Sequence, residues 1–558
     1  MKNLTRETLL AAILTLAIPA VVPNFAAGQV STSAADAQKD PVLKAMLEEL
    51  DRSSRQLQLQ NLQKPFFIQY ALDDLDTYDA YVFYGALSVQ REQRRRVVRV
   101  IVRVGDYKTD SSPANQGDEG ALQIAAVDDD PAALRFALWA ATDLAYKSAL
   151  NGYTQKQAAL KAVQTPPGAD DFSREKPVIS IGPLAAFNLD RKLWIDRVAA
   201  ATTLDSAGAG AGTVPIEELH GGVSARVLKR YLVNTEGTIV RKGTSEYSAV
   251  VSAATQASDG MRLERAYSTS APVANQLDSA DKFRAGVMGI LSSLHDLASA
   301  PVVPGEYHGP VLFSGDASSD IFARLLAPSV AALRPDLGIA ERTRGPYSSG
   351  YQTRVLPEFF TVVDDPTQAT FDGKGLLGSY AIDDDGVPAS DVTLIDQGKL
   401  VNYVIGRQPV RDFPASNGHG RASAGGFARP GAAVLHVEPK NPVSSEALNQ
   451  KLLAMGKDQG LSAVYAVDTF GPNLTPGLLY KVEVATGKRE LVRGGALSDL
   501  DQRSLRSGIR AAGDQTYVAN RFGDPATTIL APPLLIDDIT IKRAEQRNDK
   551  LPYYPPPD

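Results

Sequence analysis

Two acidic runs and one glycine-flanked histidine carry the side chains best suited to chemistry: Asp364-Asp365-Pro366, Asp383-Asp384-Asp385-Gly386 and Asn417-Gly418-His419-Gly420. Neighbouring carboxylates can exchange protons with a substrate, and an imidazole can bind a metal, donate a hydrogen bond or shuttle a proton near neutral pH. Covalent hydrolysis also needs a nucleophile held beside a base, and no such pairing is visible in the chain. The same residues are turn formers whose side chains tie loops to backbone amides. Two readings therefore stand for Asp364, Asp365, Asp384, Asn417 and His419: they tie turns, or they line a groove that contacts peptide. For His419 the choice is between a turn residue and an imidazole presented to that groove.

Metal chemistry finds little to work with. The five histidines are His220, His295, His308, His419 and His436, with no pair at the spacing that puts two ligands on one helix face, and the chain has no cysteine. His295 falls in an amphipathic helical pattern that explains its place by packing, and His308 precedes Gly309-Pro310 in an expected linker. From the residues, no metal, cofactor or catalytic set is assigned.

The elements that must position these residues fall into blocks. Asp40-Pro41 reads as an N-cap and first-turn proline, with Leu43, Met46, Leu47 and Leu50 on one face of a helix. Phe66–Tyr70, Asp79–Tyr84 and Val97–Val104 are rich in β-branched and aromatic residues and predict strands, and Asp130-Pro131 opens a long helix. Arg94-Arg95-Arg96 reads as a solvated turn or sheet face rather than a nucleic-acid patch. Residues 40–176 form an N-terminal α/β module, and 177–300 a second module of strand meander plus helix. Its Gly/Ala run at 207–212 is a loop with no phosphate-binding lysine behind it. Pro301-Val-Val-Pro-Gly305 marks a boundary, and 306–545 predicts a strand-rich, curved or barrel-like domain before a proline-rich tail at 546–558. The fold class is α+β: N-terminal α/β modules with mixed sheets and long helices, then the β-rich domain.

A length of 558 residues requires several cores, and 44% hydrophobic with 22% charged residues is ordinary for globular domains. The net charge of −6 excludes a broad basic field, so bulk nucleic-acid binding is not expected. Residues 1–28 have a basic start, an apolar run and small residues before Gly28, the pattern of a cleaved secretory signal, and 29–39 a polar lead expected to be disordered. The mature chain is then expected in the periplasm or secreted, without a membrane anchor.

Thr361–Thr367, Gly378–Pro388, Thr393–Leu400 and Ser416–Ala422 together resemble the TldD/PmbA family, the "modulator of DNA gyrase" proteins. The resemblance implies a metallopeptidase-related fold whose active members hold zinc on a helical His-Glu-x-x-x-His motif and a cysteine near the C-terminus. Here Ser314, Gly315 and Ser319 stand at the motif's ligand and base positions, and the loop corresponding to the cysteine site is Val518–Gly523. The implied protein is a metal-less, structural or peptide-presenting subunit of a peptidase-type assembly, partnered by a zinc-bearing homologue or by a second copy. The alternatives are an exported peptidase with an unrecognised site and a stand-alone peptide-binding protein.

Overall fold

The computed structural model describes residues 30–59, 61–115, 117–164, 167–204, 214–545 and 550–552. The expected signal segment, the Gly/Ala run at 207–212 and most of the 546–558 tail lie outside the described residues. The polar lead is not disordered over its described part: Ser31 pairs with Ile181, and Ser33 caps a one-turn helix, α1 (Ala34–Ala37). Helix α2 (Pro41–Gln56) starts as its sequence predicts, the Asp40 carboxylate accepting the amides of Val42 and Leu43 at 2.9 and 3.0 Å.

Seven strands follow: β1 (Phe67–Phe83), β2 (Ala86–Arg103), β3 (Ala121–Ala125), β4 (Ile179–Ile181), β5 (Glu218–Asn234), β6 (Ile239–Gln256) and β7 (Arg262–Ala271). Interspersed are α3 (Pro131–Ala162), α4 (Arg191–Ala201) and α5 (Ala280–Ser299). The strands form one sheet of order β3-β2-β1-β5-β6-β4, with β7 also paired to β6. The two N-terminal modules expected from sequence therefore share a sheet, because β1 pairs with β5 along its length, from Gln69 opposite Asn234 to Phe83 opposite His220. Helices α2 and α3 bury Leu43, Met46, Leu134, Leu138 and Tyr146 against one part of this sheet, while α4 and α5 bury Trp194, Phe283 and Leu294 against another.

The Arg94–Arg96 run is no uniform solvated face. Arg95 is exposed, whereas Arg96 is 2% exposed and ion-paired to Asp74 at 2.6 Å and Asp129 at 2.9 Å. A buried guanidinium demands such partners, and the sequence pattern alone gave no sign of them.

The second half begins with β8 (Tyr307–Phe313), so His308, expected in a linker, sits in a strand opposite Thr540. Helix α6 (Gly315–Ile321) follows, then β9 (Phe360–Asp364), β10 (Thr370–Phe371), β11 (Lys374–Gly375), β12 (Val392–Asp396) and β13 (Lys399–Leu400). Next come β14 (Gly420–Arg421), β15 (Arg429–Pro430), β16 (Val434–Pro439), α7 (Ser445–Asp458), β17 (Ala463–Phe470), β18 (Pro476–Glu483) and β19 (Arg489–Val492). The chain closes with β20 (Gly495–Leu497), β21 (Ile509–Ala512), β22 (Tyr517–Arg521), β23 (Thr527–Ala531) and β24 (Leu534–Arg543). One sheet runs β19-β18-β17-β8-β24-β20 with β21 on β24, and the other β13-β12-β9-β16-β23-β22. Phe313, Phe322, Phe360, Leu435 and Ile536 fill the space between them. The region curls into a half-barrel, as its short strands and frequent turns predict.

The halves are joined by buried charge. Arg230 on β5 pairs with Asp73 on β1 at 2.6 Å and with Asp384 at 2.5 Å, and Lys242 on β6 reaches the same Asp384 oxygen at 2.8 Å. Burial raises the Asp384 pKa, but Arg230, Lys242 and Arg421 together hold it far below the ordinary carboxylate range. Its neighbours go the other way. Burial, then the charge of Asp385, pushes Asp383 up to about 8, and burial pushes Asp385 up to about 6 against Arg407. The folded chain thus keeps protons that the unfolded chain releases above its ordinary carboxylate pKa, so unfolding releases protons in this range. Stability is expected to fall by on the order of a few kcal/mol as pH rises from about 4 to about 8, and Asp385→Asn should flatten the slope. Denaturant midpoints across that range check it; an unchanged slope in the variant would contradict the assignment.

Candidate functional site

Strand β8 delivers the chain directly to Ser314, the N-cap of α6. The Ser314 hydroxyl accepts the Ala317 amide at 3.1 Å and donates to the Asp468 carbonyl at 2.6 Å. Ser318 and Ser319 are fully buried; Ser318 donates to Pro532 O at 2.5 Å and Ser319 to Asp316 O at 2.7 Å. A β-carbon added to Gly315 would lie 2.7 Å from the Cβ of Tyr517, so β22 closes this position to a side chain. Every hydroxyl on this helix is committed to the fold.

What α6 presents instead is Asp316 and Asp320, one turn apart. They meet Tyr517 and Arg521 on β22 and Arg265 on β7. Asp320 is ion-paired to Arg521, and Arg265 donates to Thr469 Oγ1 at 2.6 Å. Burial, with the nearby Asp320 charge adding to it, raises the Asp316 pKa against the hydrogen bond from Tyr517. Tyr517 is raised as well, by burial and by Asp316. Burial lowers the Arg265 pKa. This is a tight acid–phenol–guanidinium cluster across the junction of the two halves. Sequence reading missed it, although the Asp316/Asp320 spacing was on view; partners from β7 and β22 emerge only on folding.

The edges flanking the cluster are open. Among the described residues β22 pairs only with β23, and β7 only with β6. The two strands approach beside α6, where Asn520 Nδ2 lies 3.4 Å from Ser270 O.

The sequence-predicted groove residues resolve mostly as ties. Asp364 is fully buried and accepts the amides of Ala433 and Val434 at 2.9 Å each. Asp365 accepts Thr367 N at 2.9 Å in its own turn, and Asp384 is the clasp described above. The Asn417 side chain accepts Ile405 N and donates to Tyr403 O, both at 2.8 Å. His419 is not presented to a groove: it is 0% exposed, its Nδ1 is 3.0 Å from Asn417 O, and its Nε2 is 3.6 Å from Asp364. Both Nδ1 neighbours are acceptors, so Nδ1 carries the proton. Gly418 enforces the turn, with φ +77° and no room for a β-carbon beside Pro388 O. Asp384 also lines a cavity between β6 and the second half.

Residues 304–543 match the PmbA/TldA metallopeptidase C-terminal domain family. Over these residues the chain carries the TldD/PmbA C-terminal domain. Its fold extends the likeness over both halves. TldE from Thermococcus kodakarensis superposes with a TM-score of 0.60 at 15% identity, covering 89% of this chain and 100% of that one. A candidate modulator of a DNA gyrase from Thermotoga maritima gives 0.60 at 13% identity, with 89% and 99% covered. A candidate modulator of DNA gyrase from Bacteroides thetaiotaomicron gives 0.58 at 10%, with 90% and 98% covered. No curated protein matches the chain in sequence.

The residues at 314, 315 and 319 of α6 do not fit zinc. Zinc in hydrolases takes imidazole, thiolate or carboxylate, whereas positions 314, 315 and 319 offer two neutral hydroxyls and a hydrogen, and the helix's carboxylates, Asp316 and Asp320, are engaged by Tyr517 and Arg521. Among the described residues no group of three or more His, Cys, Asp and Glu converges as a metal site. The packing makes a direct prediction. Gly315→Ala should cost about 1–3 kcal/mol by overpacking against Tyr517. Combined with Tyr517→Gly, it should cost less than the sum of the single changes. Additive losses in thermal melts would show that the two residues do not press on each other.

Proposed function

We propose that this TldD/PmbA-family chain holds an extended peptide without zinc-dependent cleavage, as a structural or peptide-presenting subunit. The observation that carries the reading is the environment of α6: its hydroxyls are spent on capping and on buried carbonyls, while two unpaired strand edges, β7 and β22, converge beside it. A peptide added to such an edge is gripped by its backbone, which gives affinity with tolerance of sequence. Cleavage would need a water activated by a metal or base, and the Asp316 cluster keeps its carboxyls paired to Tyr517 and Arg521. The sequence pattern of residues 1–28 supports export to a periplasmic or extracellular compartment. No helix among the described residues is long and apolar enough to cross a membrane. Family resemblance supports assembly with a zinc-bearing homologue, or with a second copy of this chain.

The purified protein is expected to carry substoichiometric zinc by elemental analysis and to show no chelator-sensitive cleavage of unstructured peptides. Fluorescence anisotropy should detect peptide binding that weakens by tenfold or more, about 1.4 kcal/mol, when alternate peptide nitrogens are methylated. Stoichiometric zinc with turnover lost to chelator would replace this reading with an active metallopeptidase. Binding indifferent to backbone methylation would remove strand addition.

A further inference from the structure

A cavity of 390 Å³ opens between β5 and β6 on one side and the β10–β11 and β14 loops on the other. Its position is informative. Pro272 and Val273 follow directly from β7, and Asp524, Pro525 and Ala526 follow from β22, so it lies at the end of the seam between the two open edges.

The wall is of two kinds. Leu228, Val273, Leu376, Leu377 and Pro525 supply apolar surface. Against them stand four buried polar atoms with no hydrogen-bond partner: Arg226 Nε, Arg421 Nη1, Glu246 Oε2 and Gln276 Oε1. Buried polar atoms are nearly always paired, so four orphans around one cavity mark a place where a ligand supplies the missing partners. The other charges are already engaged. Arg230 and Lys242 are held by Asp384, Asp524 accepts the Ala424 amide at 3.1 Å, and Arg226 stands at ion-pair distance from Asp524 and Glu246, 3.8 and 3.9 Å, with no hydrogen bond to either. Arg421 is fixed in place by its bond to Ala526 O at 2.8 Å and by stacking 4.7 Å over the Tyr380 ring; Arg226 is fixed by donating to Gly523 O at 2.6 Å.

Two donors borne on guanidinium groups match a carboxylate. Two acceptors, Glu246 and Gln276, match an adjacent N–H, and the apolar wall matches a hydrocarbon side chain. A peptide C-terminus has all three within one residue. We propose that this cavity is an anchor for the free C-terminal carboxylate of a bound peptide with an apolar last residue, Arg226 and Arg421 taking the carboxylate and Glu246 or Gln276 the last amide. This inference rests on the peptide-holding reading and adds direction to it: the peptide runs along the seam with its C-terminus in the cavity. The groups facing Glu246 are Arg226 on β5, Asp524 after β22 and Arg421 on β14, with the Gly523 amide bonded to it. Burial pushes Glu246 up to about 7, so a carboxylate ligand meets a neutral partner below that pH and a repelling one above it.

The test compares fluorescein-labelled unstructured peptides ending in Leu, as free acid and as C-terminal amide, on the full chain. The free acid should bind at least about tenfold more tightly than the amide. Arg421→Gln should remove that difference, with Arg421→Lys restoring part of it. Affinity for the acid should weaken as pH rises through about 7 in the native chain but not in Glu246→Gln. Equal binding of acid and amide by the native protein overturns the anchor, whatever the stability of the variants. Acid-selective binding that ignores backbone methylation overturns strand addition and leaves the anchor standing. Methylation-sensitive binding without acid selectivity does the reverse, and no binding of either peptide overturns both.

Discussion

Asp384 holds the two halves of this protein together. A carboxylate placed between Arg230 and Lys242, with Asp73 behind Arg230, puts four charges where water is scarce. Such a cluster is tolerable only when every member is paired, and removing one member of a buried pair typically costs 3–5 kcal/mol. The geometry of everything else follows. The loop that carries Asp384 must sit on β5 and β6, which brings β14 and Arg421 to the cavity wall. The remaining joints repeat the pattern: Arg407 pairs with Glu236 at 2.8 Å and stacks 4.0 Å over Phe172, and Gln408 donates to Glu119 at 2.6 Å. The junction specifies one docking of the halves through directional contacts rather than a greasy seam.

Positions 314, 315 and 319 show how capping and packing alone hold a short helix in place. Serine suits an N-cap, where its oxygen replaces a missing acceptor for the first amides, and Ser314 does this while also bonding Asp468 O. Tyr517 fills the space a side chain at Gly315 would need. These are packing solutions, and they exclude a longer side chain at 315, since a glutamate there would collide with β22.

Much of the fold was legible because local signals agreed. Asp40-Pro41 and Asp130-Pro131 each begin a helix with the cap they predict. The strand-rich second half emerged from short β-branched runs between turn residues, and the family resemblance fell on Thr361–Leu400 and Ser416–Ala422, within the matched domain. What escaped is non-local. That β1 pairs with β5 cannot be read from either strand, so two modules were drawn where one sheet exists. Arg96 looked like part of a basic run because its partners Asp74 and Asp129 lie more than 20 residues away on either side. His419 between two glycines suggested a presented imidazole, yet those glycines let the backbone fold over it until nothing of the ring reaches solvent. Positions 314, 315 and 319 drew attention to α6, but the residues that give its surroundings their character, Asp316, Asp320, Tyr517 and Arg265, come together from three separate elements.

The long β1–β5 ladder sets an order of assembly. Residues 67–83 pair with the adjacent β2 but cannot close their other edge until 218–234 have been made, and β5 is itself covered only when β6, ending at Gln256, is present. Pairings that span so much chain are slow to form, because loop-closure entropy must be overcome before any contact is gained. Until nearly half the polypeptide has left the ribosome, the apolar faces of α2 and α3 have only an incomplete surface to rest on. A nascent chain of this design stays open for long enough that whatever receives it, whether chaperone or translocation channel, meets it before it has closed.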